Sequence, residues 1–286
     1  MIRTSYHTHN RFCDGAGAAE EYAEAAVAAG LNALGISCHS PLTFPDAAAM
    51  KVENLAAYCA EVARLRDVYR GRLRVHLSLE FDYIPDRHAE LWALVAGHQD
   101  AAHAFEYLIG SVHFVGQHPD GIPWPVDLSR SGFEDGLHRY YGGDIRRLVG
   151  AYYEQVRSLI GWGGAAILGH VDRIKKWNDA ERYFNEDDGW YRREVEATLQ
   201  ACARAALIVE VNTVGWRNAV RSPYPSPWII RRCLDLRIPL VVTTDAHAPQ
   251  RVTDFHPEAE ALLRDVGCRE LAVLGDGGWR MEPLAP

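Results

Sequence analysis

The stretch Ser5-Tyr6-His7-Thr8-His9-Asn10-Arg11-Phe12-Cys13-Asp14-Gly15 reads as an extended strand running into a short loop. Side chains alternate faces along a strand, so His7 and His9, one residue apart, point the same way. Two imidazoles on one face with Asp14 close behind form a common donor set for zinc, manganese or iron. Taken alone, the pair also fits a half-buried strand whose histidines bond to their neighbours. The rest of the chain decides between the two.

Outward from this stretch, strand and helix patterns alternate. Residues 17–29 are Ala-rich with Glu20, Glu21 and Glu24 and stop at Gly30, which predicts a helix. The apolar run Leu31 to Ser37 predicts a buried strand ending at Cys38-His39-Ser40-Pro41. A helix over 52–69 leads to a strand from Leu73 to Phe81, and a helix over 87–97 leads to a strand from Tyr107 to Val115 that carries His113. Residues 116–143, rich in Gly, Pro and aromatics, predict a long ordered loop of the kind that serves as a lid. The alternation resumes with helices over 144–160, 190–205, 227–236 and 257–266 and strands over 165–169, 207–212 and 238–243. The tail from Leu271 to Met281 suggests a hairpin through Asp276-Gly277-Gly278. Seven strand-plus-helix units with no compositional break predict a single-domain, closed or nearly closed β/α barrel, with its site at the C-terminal strand ends.

Composition fits that architecture. A 286-residue chain with 48% hydrophobic residues supports a sizeable core. No apolar run approaches the roughly 18 residues of a membrane span, and the strand reading begins directly after Met1-Ile2-Arg3, so a soluble cytoplasmic protein without a signal peptide is expected. Cys13, Cys38, Cys59, Cys202, Cys233 and Cys268 are scattered, as in a reducing compartment. A net charge of −8 disfavours a nucleic-acid partner.

Six of the seven expected strands end in a candidate ligand: His7 and His9, His39, Glu80, His113, His170, and Asp245 with His247. Such a ring is the signature of a site. As an ordered set, H-T-H-x4-D-G, C-H-S-P, L-E-F-D-Y, S-V-H-F, G-H-V-D, E-V-N-T-x-G-x-R and T-D-A-H resembles the polymerase and histidinol phosphatase (PHP) family, in its histidinol-phosphate phosphatase branch, from His7 to His247. The resemblance implies a distorted seven-stranded, TIM-like barrel and a centre of three divalent ions, zinc, manganese or iron. His7, His9, Glu80 and Asp245 would hold one ion. Glu80 would bridge to a second held by His113 and His170, and Asp14, His39 and His247 would hold the third. One departure is Cys38, which stands where an acidic residue often precedes the family's corresponding histidine.

The implied activity is hydrolysis of L-histidinol phosphate in histidine biosynthesis, by a metal-bound hydroxide attacking phosphorus. Such a centre is strongly positive, since three divalent ions outweigh Asp14, Glu80 and Asp245, and so favours a small phosphate monoester. Arg217, after the strand end without a ligand, is the candidate phosphate clamp, with Asn212 beside it. Asp172 is a candidate supporting partner of the ligands or general acid, and Trp124 and Asp127 of the long loop are candidates for the imidazole and ammonium. Lys175 and Lys176 read as solvated, as do His88, His98, His103 and His256, whereas His76 reads as core or bottom-face. A family phosphoesterase acting on nucleotides or phosphotyrosine, and a non-catalytic metal-binding module, are the competing readings. A complete ligand ring argues against the latter. Oligomeric state is open.

Overall fold

A computed structural model describes residues 1–97 and 104–284 of the chain. In chain order the elements are β1 Thr4–Ser5, α1 Ala19–Ala28, β2 Ala33–Ile36, α2 Leu55–Val68, β3 Arg74–Asp82, α3 His88–Ala96, β4 Tyr107–Ser111, β5 Phe114–Gln117, β6 Pro123–Pro125, α4 Arg130–Tyr141, α5 Ile145–Trp162, β7 Ile167–Leu168, α6 Gly189–Ala205, β8 Ile208–Asn212, α7 Pro227–Asp235, β9 Leu240–Thr243, α8 His256–Asp265, β10 Glu270–Gly275 and β11 Gly278–Pro283. Seven parallel strands form one sheet in the order β1-β2-β3-β4-β7-β8-β9.

These strands carry unbroken buried runs, such as Ala33–Ile36 and Ile208–Asn212, because helices cover the outer face and side chains fill the interior. The sheet nearly closes on itself just past β1 and β9. There His9 N–H donates to the Ala246 carbonyl at 2.9 Å and Ala246 N–H to the His7 carbonyl at 3.3 Å. The seam of the barrel therefore runs through the histidine stretch itself.

The expected tail hairpin is present as β10 and β11, paired antiparallel with Gly275 opposite Gly278. It packs over the N-terminal end of the barrel, where Ala272, Leu274 and Trp279 meet Tyr6, Ala33, Tyr107, Ile167 and Ile208. Tyr6 ties the two together, since its hydroxyl accepts from Leu274 N–H at 3.0 Å while Tyr107 Oη donates to the Tyr6 carbonyl at 2.6 Å. No helix among the described residues is long and apolar enough to cross a membrane.

Two expectations are corrected. The fourth strand stops at Ser111 rather than Val115, and β5 turns away to pair with β6, which leaves His113 in the break. Residues 116–143 are not one loop, because α4 occupies much of them. Ser129 Oγ caps its start by accepting from Gly132 N–H, and Gly142, at φ 64°, ends it. Gly136 is required inside this helix, since a Cβ there would meet the Trp124 indole at 2.0 Å.

His256 is also buried rather than solvated, and burial pushes its imidazole down to about 4. On acidification the unfolded chain takes up this proton first, so stability is lost as pH falls from 6.5 towards 4. The loss attributable to His256 is about 3 kcal/mol over that window. In urea denaturation at pH 7 and pH 4.5, the pH-dependent fall of the wild type should be smaller in His256→Leu by roughly that amount. His98 and His103 lie outside the described residues.

Candidate metal centre

Glu80, near the end of β3, is buried, and its two oxygens divide the cluster between them. Oε2 lies 3.2 Å from His7 Nε2, 3.4 Å from His9 Nε2 and 3.1 Å from His39 Nδ1. Oε1 lies 2.9 Å from His170 Nε2 and 3.5 Å from His113 Nε2, and accepts from Ser111 Oγ at 2.6 Å. Asp245 Oδ1 lies 3.1 Å from His9 Nε2 and 3.7 Å from His7 Nε2. Asp14 Oδ1 lies 3.3 Å from His247 Nε2 and 3.9 Å from His39 Nε2.

All nine side chains expected to hold metal thus meet at the C-terminal end of the barrel. Donor atoms within 4.8 Å of one another form the sets His7, His9 and Asp245; His9, Asp14, His39 and His247; Glu80, His113 and His170; and His39, Asp82 and His113. Asp245, two residues past the end of β9, adopts φ 49°, a left-handed backbone that an L-residue adopts at a cost of about 1–3 kcal/mol. The seam bonds of Ala246 on one side and β9 on the other hold it there.

The electrostatics match a cation site. Burial would push the His7 imidazole down, yet Glu80, Glu210 and Asp245 hold it up at about 10. His113 is likewise held at about 9, against burial, by Asp82 and Glu80. Despite their own burial, Glu80 and Asp245 stay well below the usual carboxylate range because of these imidazoles. A field that captures protons this strongly captures cations in general. His7 Nε2 and His9 Nε2 are nevertheless buried without a hydrogen-bond partner, a cost of about 1–3 kcal/mol for each such atom. Unpaired ring nitrogens converging with carboxylates are the donor chemistry that divalent transition ions take, so the residues fit such ions.

The far sides of the His7 and His113 rings are held as well. His7 Nδ1 lies 2.9 Å from Glu210 Oε2, and Glu210 in turn accepts from Thr243 Oγ1 at 2.8 Å, Asn212 Nδ2 at 2.9 Å and His170 N–H at 2.7 Å. His113 Nδ1 lies 2.7 Å from Asp82 Oδ1. Neither acid was assigned a role from the sequence, although both signals were visible. Asp82 shares a strand face with Glu80, and Glu210 is a lone acid in the apolar run L-I-V-E-V-N.

Above the cluster opens a cavity of about 480 Å³. Arg173, Lys176 and Asp127 line one side of it, and Pro45, Ala47, Ala48, Phe114, Pro125 and Leu128 supply apolar wall. Arg173 Nε donates to Asp127 Oδ2 at 2.8 Å while its buried NH1 has no hydrogen-bond partner. Lys176, partly buried, donates to the Asp127 carbonyl at 2.7 Å, and burial with Arg173 nearby lowers it to about 8.

The other expected substrate residues do not line this cavity. The Arg217 guanidinium is bound to Asp254 and lies over the Phe255 ring. Asn212 is buried, with its amide on Glu210 and Asp245. Asp172 is buried against Lys175 Nζ at 2.8 Å and Ser226 N–H at 2.9 Å, so it serves the fold below the site. Trp124 is buried behind the cavity against α4. Of these residues only Asp127 reaches the cavity, and there Arg173 and Lys176 already neutralise it. Lys175 and Lys176 are not solvated, since the one is fully buried and the other faces the cavity.

Comparison with known proteins adds to this geometry. Residues 5–214 match the PHP domain family. A protein of Deinococcus radiodurans named "Probable histidinol-phosphatase" is 33% identical over 266 residues, covering 92% of this chain and 93% of that one. The histidinol-phosphatase of Bacillus subtilis is 26% identical, covering 86% of this chain and 94% of its own. Among solved structures, histidinol phosphate phosphatase from Lactococcus lactis, complexed with zinc, L-histidinol and phosphate, superposes with a TM-score of 0.74 at 19% identity, covering 97% of this chain and 98% of that one.

Glu210 generates a prediction about the rear of the cluster. Glu210→Gln keeps the shape and removes the charge behind His7. Zinc affinity, measured by competition with a chromogenic chelator, should fall about 10–100-fold while the far-UV spectrum is retained.

Proposed function

The chain belongs to the PHP family, and from that premise we propose that it hydrolyses a small phosphate monoester, L-histidinol phosphate, to L-histidinol and phosphate. The observation that carries the reading is the convergence of nine His, Asp and Glu side chains on the floor of one small cavity whose rim holds Arg173, Lys176 and an apolar wall. The names of the relatives support the choice of substrate.

In this reading His7, His9, Asp14, His39, Glu80, His113, His170, Asp245 and His247 would hold three divalent ions. Bound there, such ions would supply Lewis-acid charge for the phosphoryl oxygens and would lower the pKa of a water. Glu210 and Asp82 fix the orientation of His7 and His113. Arg173, whose Nη1 lies 3.6 Å from Asp245 Oδ2 without a hydrogen-bond partner, grips a phosphate oxygen, and Lys176 adds charge at the same rim. Asp127 aims Arg173 rather than meeting the substrate ammonium. The wall of Pro45, Ala47, Ala48, Phe114 and Leu128 gives the non-phosphate half a dry surface. Water adds an oxygen to phosphorus as the ester bond breaks, and the histidinol oxygen departs with a proton.

Phosphate release from a panel of monoesters tests the substrate. Histidinol phosphate should lead by orders of magnitude in kcat/KM, and comparable values for nucleotides or phosphotyrosine would replace the assignment. His9→Ala and Asp245→Ala should each abolish turnover with the fold intact, and retained activity in both would end the mechanism.

For Arg173, the Met variant should raise KM about 10–100-fold at unchanged metal content, as expected when a charge-assisted hydrogen bond to phosphate is lost. Arg217→Met should leave KM within about twofold.

A further inference from the structure

Histidinol phosphate presents a phosphate, an imidazole and, on the carbon next to the ester methylene, an ammonium. The first two find partners in the cavity, the phosphate at Arg173 and Lys176 and the ring at the apolar wall. The ammonium needs an anion. Asp127 is spent, because Arg173 Nε lies 2.8 Å from its Oδ2 and Lys176 Nζ 3.7 Å. The carboxylates of the floor stand among imidazoles, and Asp82 is held by His113 Nδ1 at 2.7 Å. One carboxylate of the lining is left, that of Asp46.

Asp46 interrupts the apolar wall between Pro45 and Ala47, is partly buried, and pairs with no cationic side chain among the described residues. Its Oδ1 accepts from Ala48 N–H at 2.8 Å and from Ala49 N–H at 3.1 Å. The carboxylate is thus held by its own turn while Oδ2 takes part in neither bond. The loop that carries it is tied at both ends to strands of the floor. Ser40 N–H donates to the Glu80 carbonyl at 2.8 Å, and Met50 N–H to the His39 carbonyl at 3.3 Å. The strand ends that build the floor therefore also place Asp46 relative to it.

We propose that Asp46 determines specificity by pairing its Oδ2 with the ammonium of an amino-alcohol phosphate whose phosphoryl group rests on the histidine floor. This deepens the assignment of histidinol phosphate and rests on it. A negative charge in that wall admits a cation close to the ester and repels a second anion there, which separates an amino-alcohol phosphate from a nucleotide.

The test compares kcat/KM for histidinol phosphate and for its deamino analogue, imidazolylpropyl phosphate, in wild type, Asp46→Asn and Arg173→Met. Wild type should favour the aminated substrate about 10–100-fold, the worth of one charge-assisted hydrogen bond. An asparagine accepts the same two backbone bonds through its amide oxygen, so Asp46→Asn keeps the turn and removes only the charge. In that variant the preference should collapse to within about threefold, mainly through a higher KM for histidinol phosphate. Arg173→Met, altered at the phosphate end, should weaken both substrates and keep the preference. A wild type indifferent to the amine, or a preference that survives in Asp46→Asn, would overturn the role of Asp46 alone. Release of phosphate from neither compound by wild type, with other monoesters hydrolysed, would overturn the substrate assignment and Asp46 with it.

Discussion

A single carboxylate buried at the top of the barrel constrains nearly everything above it. Glu80 is 1% exposed, and a carboxylate taken out of water costs several kcal/mol unless other groups replace its hydration. The replacement comes from imidazoles of five residues, His7, His9, His39, His113 and His170. Those five lie at or just past the ends of β1, β2, β4 and β7. Each strand must therefore reach the same height in the barrel with the same face inward. Register, seam closure and site assembly are consequently one problem, and the pairing of His39 beside Glu80 as an isolated parallel bridge shows where it is solved.

That coupling explains what could be read from the chain. Ligands at successive strand ends carry their own positional signal, so the seven-stranded barrel and the convergence of His7 through His247 were both legible. The substrate side was not, because it depends on which long side chains turn inward from irregular segments. Arg217 follows a strand end in sequence, yet Asp254 captures it. Arg173, three residues after His170, reaches the cavity because Asp127 comes in from another segment to orient it. Nothing local to G-H-V-D-R separates those two outcomes.

The segment after β4 failed for a different reason. Counting glycines and prolines made 116–143 look like a loop, while Phe133, Leu137 and Tyr140 recur at helical spacing. Gly132 and Gly136 weaken the propensity of that helix, but Gly136 is there to admit the Trp124 ring. A close tertiary contact outweighed a local preference. Because α4 packs Phe133 and Tyr140 against Trp124, the cavity rim at Asp127 and Leu128 adjoins a packed helix rather than a free loop.

The hairpin of β10 and β11 adds a constraint on traffic. With Leu274 and Trp279 seated against the lower ends of the strands, the barrel is blind-ended, and whatever enters from above must leave by the same doorway. On the proposed reading, a product held deepest, against the floor of histidines, would not depart until the one nearer the opening had cleared. The stopper at the far end would thereby impose an order of exit.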